Sequence, residues 1–210
     1  KFLSRHKNPK SEIHIGLIGK YVELQDSYKS ILEAFTHAGA ANEVKVNVKS
    51  IHSEHINSAN ISALFSDLDG VLVAPGFGER GIEGKIEAIK YVRENNIPFF
   101  GICLGMQIAI IEFSRNVLGL KGANSTEFNE KTKYPVIGLV TEWRDATGKI
   151  EHRTENSDLG GTMRLGGQKC LIKKSSLSHK LYKKITITAG RPTNFSPLFN
   201  FCTSLSNHVT

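Results

Sequence analysis

Cysteine is scarce in this 210-residue chain: Cys103, Cys170 and Cys202 are the full set, and no two stand in a C-x-x-C arrangement. That argues against a disulfide framework and against a zinc site, and it fits a reducing compartment. Long apolar runs are missing too. None approaches the roughly 18 residues of a membrane span, and the opening Lys1–Lys10 stretch lacks the apolar core of a secretion signal. The expectation is a soluble, cytoplasmic protein with no membrane partner. Acidic residues disappear after Asp158: the segment from Leu159 to Thr210 holds eight Lys or Arg and no Asp or Glu, against 19 basic and 20 acidic residues before it. The net charge of +7 is therefore a property of the C-terminal end. A nucleic-acid binder would interleave such charges with aromatics on one face, so no nucleic-acid partner is expected.

What is present is enough apolar residue, 40%, for the core of one large domain. Residues 1–11 are basic and polar and read as a linker remnant or exposed tail, and the globular part is expected to start near Glu12. Ile13 to Gly19 is a short apolar run, a buried parallel strand by composition. Asp26-Ser27-Tyr28 supplies a helix start, with Ile31, Leu32, Phe35 and Ala38 at helical spacing and Gly39 as the stop. Val44 to Ile51 alternates as a strand near a sheet edge does. Residues 53–68 are weakly patterned and helical in part. Gly70 to Ala74 is a buried strand followed by the glycine-rich Pro75-Gly76-Phe77-Gly78-Glu79-Arg80-Gly81. Such a turn either brings backbone N–H groups against a ligand or is an ordinary tight loop. It is not a phosphate-binding loop, because no Lys-Ser or Lys-Thr follows at the required spacing. Ile82, Ile86, Ile89 and Val92 mark the next helix.

Pro98-Phe99-Phe100-Gly101-Ile102-Cys103-Leu104-Gly105-Met106-Gln107 then reads as strand, turn and helix with a thiol at the bend. A buried structural cysteine is one reading of Cys103. The other is a nucleophile: a sharp turn exposes the side chain at the sheet's carboxyl edge, and the helix N-terminus favours the thiolate and offers N–H groups to an oxyanion. The alternation of strands and helices predicts an α/β fold, a doubly wound, mostly parallel sheet with helices on both faces. Ligands in such sheets bind outside the carboxyl ends of the strands, where the glycine loop and Cys103 both fall. Beyond Gly119, Asn124 to Phe128 reads as polar loop and Pro135 to Val140 as a strand that Trp143-Arg144-Asp145 ends. Lys169 to Ile172 suggests a strand and Leu177 to Tyr182 a short helix, with no clear period from Ala189.

These strings resemble the glutamine amidotransferase domain of the CTP synthase family, among the class I (triad) amidotransferases. The likeness is carried by Ile15 to Tyr21, Tyr28-Lys29-Ser30, Gly76-Phe77-Gly78 with Arg80-Gly81 and Glu83-Gly84, Asn95 to Pro98 and Gly101 to Gln107. Asn124 to Phe128, Thr141 to Asp145 and Ser157 to Gly166 extend it. The resemblance implies that Cys103 attacks the side-chain amide of glutamine. Gly76 and Leu104 would form the oxyanion hole, and Gly76, Leu104, Gly105, Met106, Gln107 and Glu127 would bind glutamine. Read without the resemblance, Glu127 is a solvated loop charge. The resemblance also implies no cofactor or metal in this domain. ATP and magnesium serve a synthetase domain absent here, where released ammonia aminates UTP to CTP, and the full-length family forms tetramers that respond to GTP. Alternatives are another class I amidotransferase, a related thiol hydrolase, or a non-catalytic glutamine-binding or interaction module.

Two departures stand out. Many family members read Pro-Gly-Gly-Phe-Gly where this chain has Ala74-Pro75-Gly76-Phe77-Gly78, and Pro75 removes one N–H. After Tyr182 the family's Arg-His-Arg-His-Arg run falls at Gly190 to Asn194, where only Arg191 is basic, and the family's His-Pro-Glu motif has no counterpart in this sequence. Beyond His179 the only histidine is His208. The expectation is a domain over 12–188 that lacks its C-terminal part, a disordered 189–210 tail from a frameshift or truncation, and negligible glutaminase turnover, since a general base contributes typically 10²–10⁴-fold.

Overall fold

The run Ile13 to Gly19 becomes the second strand of a four-stranded sheet because parallel strands buried on both faces need near-continuous apolar sequence. The computed structural model describes residues 2–138, 142–144, 150–152 and 167–190. It divides into two units, Lys1–Gly138 and Leu139–Thr210. In the first, β1 (Ser11–Gly19), β2 (Val44–His52), β3 (Gly70–Val73) and β4 (Phe99–Gly101) lie in the order β2-β1-β3-β4, all parallel. Ile18 pairs with Ile51 on one side and Val73 on the other, and Val73 in turn with Gly101. The alternating β2 is the edge its pattern predicts, while every residue of β3 is buried.

Right-handed crossovers put α2 (Lys29–Asn42) on one face and α3 (Ile61–Phe65), α4 (Ile82–Glu94) and α5 (Leu104–Asn116) on the other. Leu17, Tyr28, Ile31 and Leu72 form the core under α2. On the other face Ile18, Val73, Ile108 and Ile111 are almost wholly buried, each such side chain stabilising the fold by about 1.5–3 kcal/mol relative to exposure.

Three local expectations change. Gly39 does not stop α2, which runs on to Asn42 and ends at Glu43 in the left-handed region (φ 58°). Its glycine serves packing instead: a Cβ there would lie 2.6 Å from the Val44 carbonyl oxygen. The opening residues are not a featureless tail, since Phe2–Lys7 forms α1. Phe2 meets His37, Arg5 donates to the Ala41 carbonyl at 3.3 Å, and β1 begins at Ser11. Six residues are too few to display a helical period. Asn124-Ser125, read as loop, is a two-residue strand β5 paired parallel with β6 (Pro135–Ile137).

In the second unit, β7 (Glu142–Arg144) pairs antiparallel with β8 (Ile150–His152), so Trp143 continues regular structure where a strand end is expected. β9 (Gly167–Leu171) pairs antiparallel with β10 (Thr186–Gly190), and α6 (Leu177–Tyr182) is capped by Ser176, whose hydroxyl accepts the His179 N–H at 3.2 Å. β10 carries regular structure through Ala189 and Gly190, two residues into the expected tail. Ser157 to Gly166, Arg191, Cys202 and His208 lie outside the described residues.

Candidate active site

The direction of chain progression reverses between β1 and β3, one connecting outward to β2 and the other to β4, and a crevice forms at such a switch point. Lys20, the Pro75–Gly81 loop and Cys103 leave the sheet at this edge, after β1, β3 and β4.

Cys103 has φ 53° and ψ −107°, a region that costs a non-glycine residue on the order of 1–3 kcal/mol and persists only where neighbours impose it. The neighbours are identifiable. The Ile102 N–H donates to the Val73 carbonyl at 3.0 Å, the Gly105 N–H to the Ile102 carbonyl at 2.9 Å, and the N–H groups of Met106 and Gln107 both to the Cys103 carbonyl at 3.1 Å. A Cβ on Gly101 would lie 2.6 Å from the Gly105 carbonyl carbon, and one on Gly105 would lie 2.3 Å from the Val73 carbonyl oxygen. Both flanking glycines are therefore the contact surface by which α5 lies directly on β3 and β4. The bend in between has nowhere else to go.

The thiol is half-buried, and burial is the main force on its proton, pushing its pKa above the ordinary cysteine range. The Leu104 N–H, donating to the sulfur, pulls it down; Glu127 pushes it up and Lys85 pulls it down. Among the described residues no imidazole acts on it. The residues of the candidate oxyanion donors pack together, since a Cβ on Gly76 would lie 3.4 Å from Leu104 Cδ2. Leu104, Gly105, Met106 and Gln107 form the first turn of α5, the first two buried and the last two half-buried.

Glu127 is exposed, as a solvated loop charge would be, yet its carboxylate accepts the Gly78 N–H at 3.2 Å. It sits on a turn held by Ser125, whose hydroxyl accepts the Glu127 N–H at 3.2 Å. A cleft of about 340 Å³ opens beside it, lined by Glu79, Glu127, Phe128, Asn129, Glu130 and Lys131, with more negative than positive charge. This suits an ammonium group.

Two lysines were not singled out by the sequence reading. Lys20, buried, donates from Nζ to the Phe77 carbonyl at 2.5 Å and the Gly78 carbonyl at 3.2 Å. Burial and then the nearby Arg80 lower its pKa, while Glu54 and Glu127 oppose them. Lys85 has no exposed surface at all. The signal for Lys85 was in the sequence: it stands three residues after Ile82 and four before Ile89, on the apolar stripe of α4. For Lys20 no comparable signal exists, since a lysine after a strand is unremarkable.

Among the described residues no group of three or more His, Cys, Asp or Glu could hold a metal ion, and no helix is long and apolar enough to cross a membrane.

Residues 23–197 match the class I glutamine amidotransferase family. The chain is 64% identical over 187 residues to a CTP synthase of Flavobacterium johnsoniae and 65% identical over 182 residues to one of Christiangramia forsetii. These matches cover 89% and 87% of this chain but 33% and 32% of those proteins, so it spans about a third of their length. Among solved structures it is similar to the glutaminase domain of a CTPS from Trypanosoma brucei with bound acivicin. That match has a TM-score of 0.69 and 32% identity, covering 90% of this chain and 72% of that one. The elbow at Cys103, the doubly wound sheet beneath it and these likenesses agree: the chain belongs to the class I glutamine amidotransferases, as a glutaminase domain of the CTP synthase kind.

Proposed function

We propose that Cys103 is the nucleophile of a glutamine hydrolysis whose ammonia serves the ATP- and magnesium-dependent amination of UTP to CTP on a synthetase domain. That domain, tetramer formation and a cytoplasmic location come to this reading from the family, not from the chain itself. The observation that carries the reading is the Cys103 backbone, held in a costly conformation by two glycines that admit no side chain.

In this reading the thiolate attacks the carboxamide carbon of glutamine, and the oxygen, now negative, is received by the N–H groups of Gly76 and Leu104. Ammonia leaves with a proton, and water cleaves the thioester to glutamate and regenerates the thiol. Glu127 pairs with the α-ammonium, while Met106 and Gln107 line the glutamine side. Because the thiol's pKa is raised and no imidazole acts on it among the described residues, steady turnover requires a base from elsewhere. One-time capture does not.

A chloroketone analogue of glutamine tests this. The 210-residue chain is expected to take up one equivalent, at Cys103, with glutamine protecting and Cys103→Ala abolishing the uptake, while ammonia release from glutamine stays negligible. Labelling that survives Cys103→Ala, or that glutamine does not slow, would overturn the assignment. Glutamine binding by calorimetry without covalent capture would favour a binding module instead.

A further inference from the structure

Lys85 is fully buried and its Nζ has no hydrogen-bond partner among the described residues. An unpaired ammonium in a protein interior is among the least favourable groups a fold can carry. Its surroundings are specific. Nζ lies 3.8 Å from where a Cβ on Gly76 would be, and the same point is 3.4 Å from Leu104 Cδ2, so the ammonium sits against Gly76 where the glycine loop packs on the Leu104 side chain. The charges acting on Lys85 are Lys20, which opposes its protonation, and Cys103, which favours it. Cys103 carries charge only once its thiol has lost its proton. Among the described residues, the remaining charged groups acting at this corner are Glu127, which acts on both Cys103 and Lys20, and Arg80 and Glu54, which act on Lys20.

We propose that Lys85 is a positioning residue whose buried ammonium holds negative charge at this corner, first on the Cys103 sulfur and then on the oxygen between Gly76 and Leu104. The inference rests on the reading of Cys103 as nucleophile. Burial lowers the pKa of Lys85 to about 8, so the group is mostly protonated at neutral pH, and a thiolate beside it would hold the proton more firmly. Its lack of a partner in the resting protein then has a reason: the partner is transient.

The test is the rate of Cys103 alkylation by iodoacetamide between pH 6 and 10, followed by peptide mass spectrometry. The sulfur–carbon bond forms, iodide leaves and the thiol proton goes to solvent, so the rate reports the thiolate fraction. Lys85→Met is expected to move the midpoint up by about one pH unit, slowing alkylation at pH 7 about tenfold. Lys85→Arg should stay within about threefold of the parent. A folded Lys85→Met with rates within about twofold of the parent at every pH would overturn the inference. Should that variant not fold, the parent decides alone: relative to glutathione, Cys103 should prefer anionic iodoacetate over neutral iodoacetamide several-fold, and no preference overturns the inference. Chloroketone capture runs beside these measurements. Capture in the parent without a Lys85 effect sinks this inference only, whereas a Lys85 effect without capture supports it and sinks the glutamine reading.

Discussion

Two buried charges on neighbouring helices are treated in opposite ways. On α5, Glu112 is 1% exposed and fully answered. Arg93 of α4 donates to it from Nε at 3.1 Å to each oxygen and from Nη2 at 2.7 Å, and Asn116 adds a bond at 3.1 Å. Glu112 in return raises the pKa of Arg93 above its ordinary value, outweighing burial. On α4, Lys85 is equally buried and, among the described residues, unanswered. The same pair of helices can satisfy a charge and does so away from the crevice, so the failure beneath the glycine loop is local. Protein interiors tolerate an unsatisfied charge where it serves a site, at a cost in stability.

The contrast breaks most visibly from the satisfied side. Arg93→Ala leaves the buried Glu112 carboxylate with Asn116 alone and should destabilise the fold by about 3–5 kcal/mol, read by urea unfolding at pH 7. A loss under about 1 kcal/mol would mean that the cluster is ornamental. Lys85→Met should move the other way. Its pKa falls from 10.5 to about 8 on folding, so the removed penalty is about 3 kcal/mol at neutral pH. The folded pKa is the lower one. Between pH 8 and 10.5 the unfolded chain therefore binds the extra proton, and parental stability rises with pH across that window. Lys85→Met should lack that rise, which paired unfolding curves at pH 7 and 10 would detect. The smallest effect belongs to Glu127. Its carboxylate raises the pKa of Cys103, and Glu127→Gln keeps an acceptor for Gly78, so Cys103 alkylation near pH 8 should quicken by about twofold. Slower alkylation would reverse the assigned sign.

What could be read in the sequence follows from how local each cause is. The parallel sheet, the edge position of β2 and the elbow at Cys103 announce themselves, because burial on two faces, alternation and a glycine-flanked bend leave marks within ten residues. The end of α2 did not, because Gly39 is required by the Val44 carbonyl, a contact made by the next strand. Glu127 looked like an ordinary loop charge, since its bond to Gly78 joins residues 49 apart. Lys85 was legible as a charge on an apolar stripe, but its lack of a partner becomes visible only when the glycine loop is laid over it.

The same loop shows how a backbone is kept facing one way. Phe77 gives its carbonyl to Lys20, and the N–H of the next residue, Gly78, points to Glu127. These two groups belong to one planar peptide unit, gripped by a cation at its oxygen and an anion at its nitrogen. Rotating that unit by half a turn would set carbonyl against carboxylate and N–H against ammonium. The charges thus work as a polarity lock on a single amide plane, set two peptide units beyond the Gly76 amide.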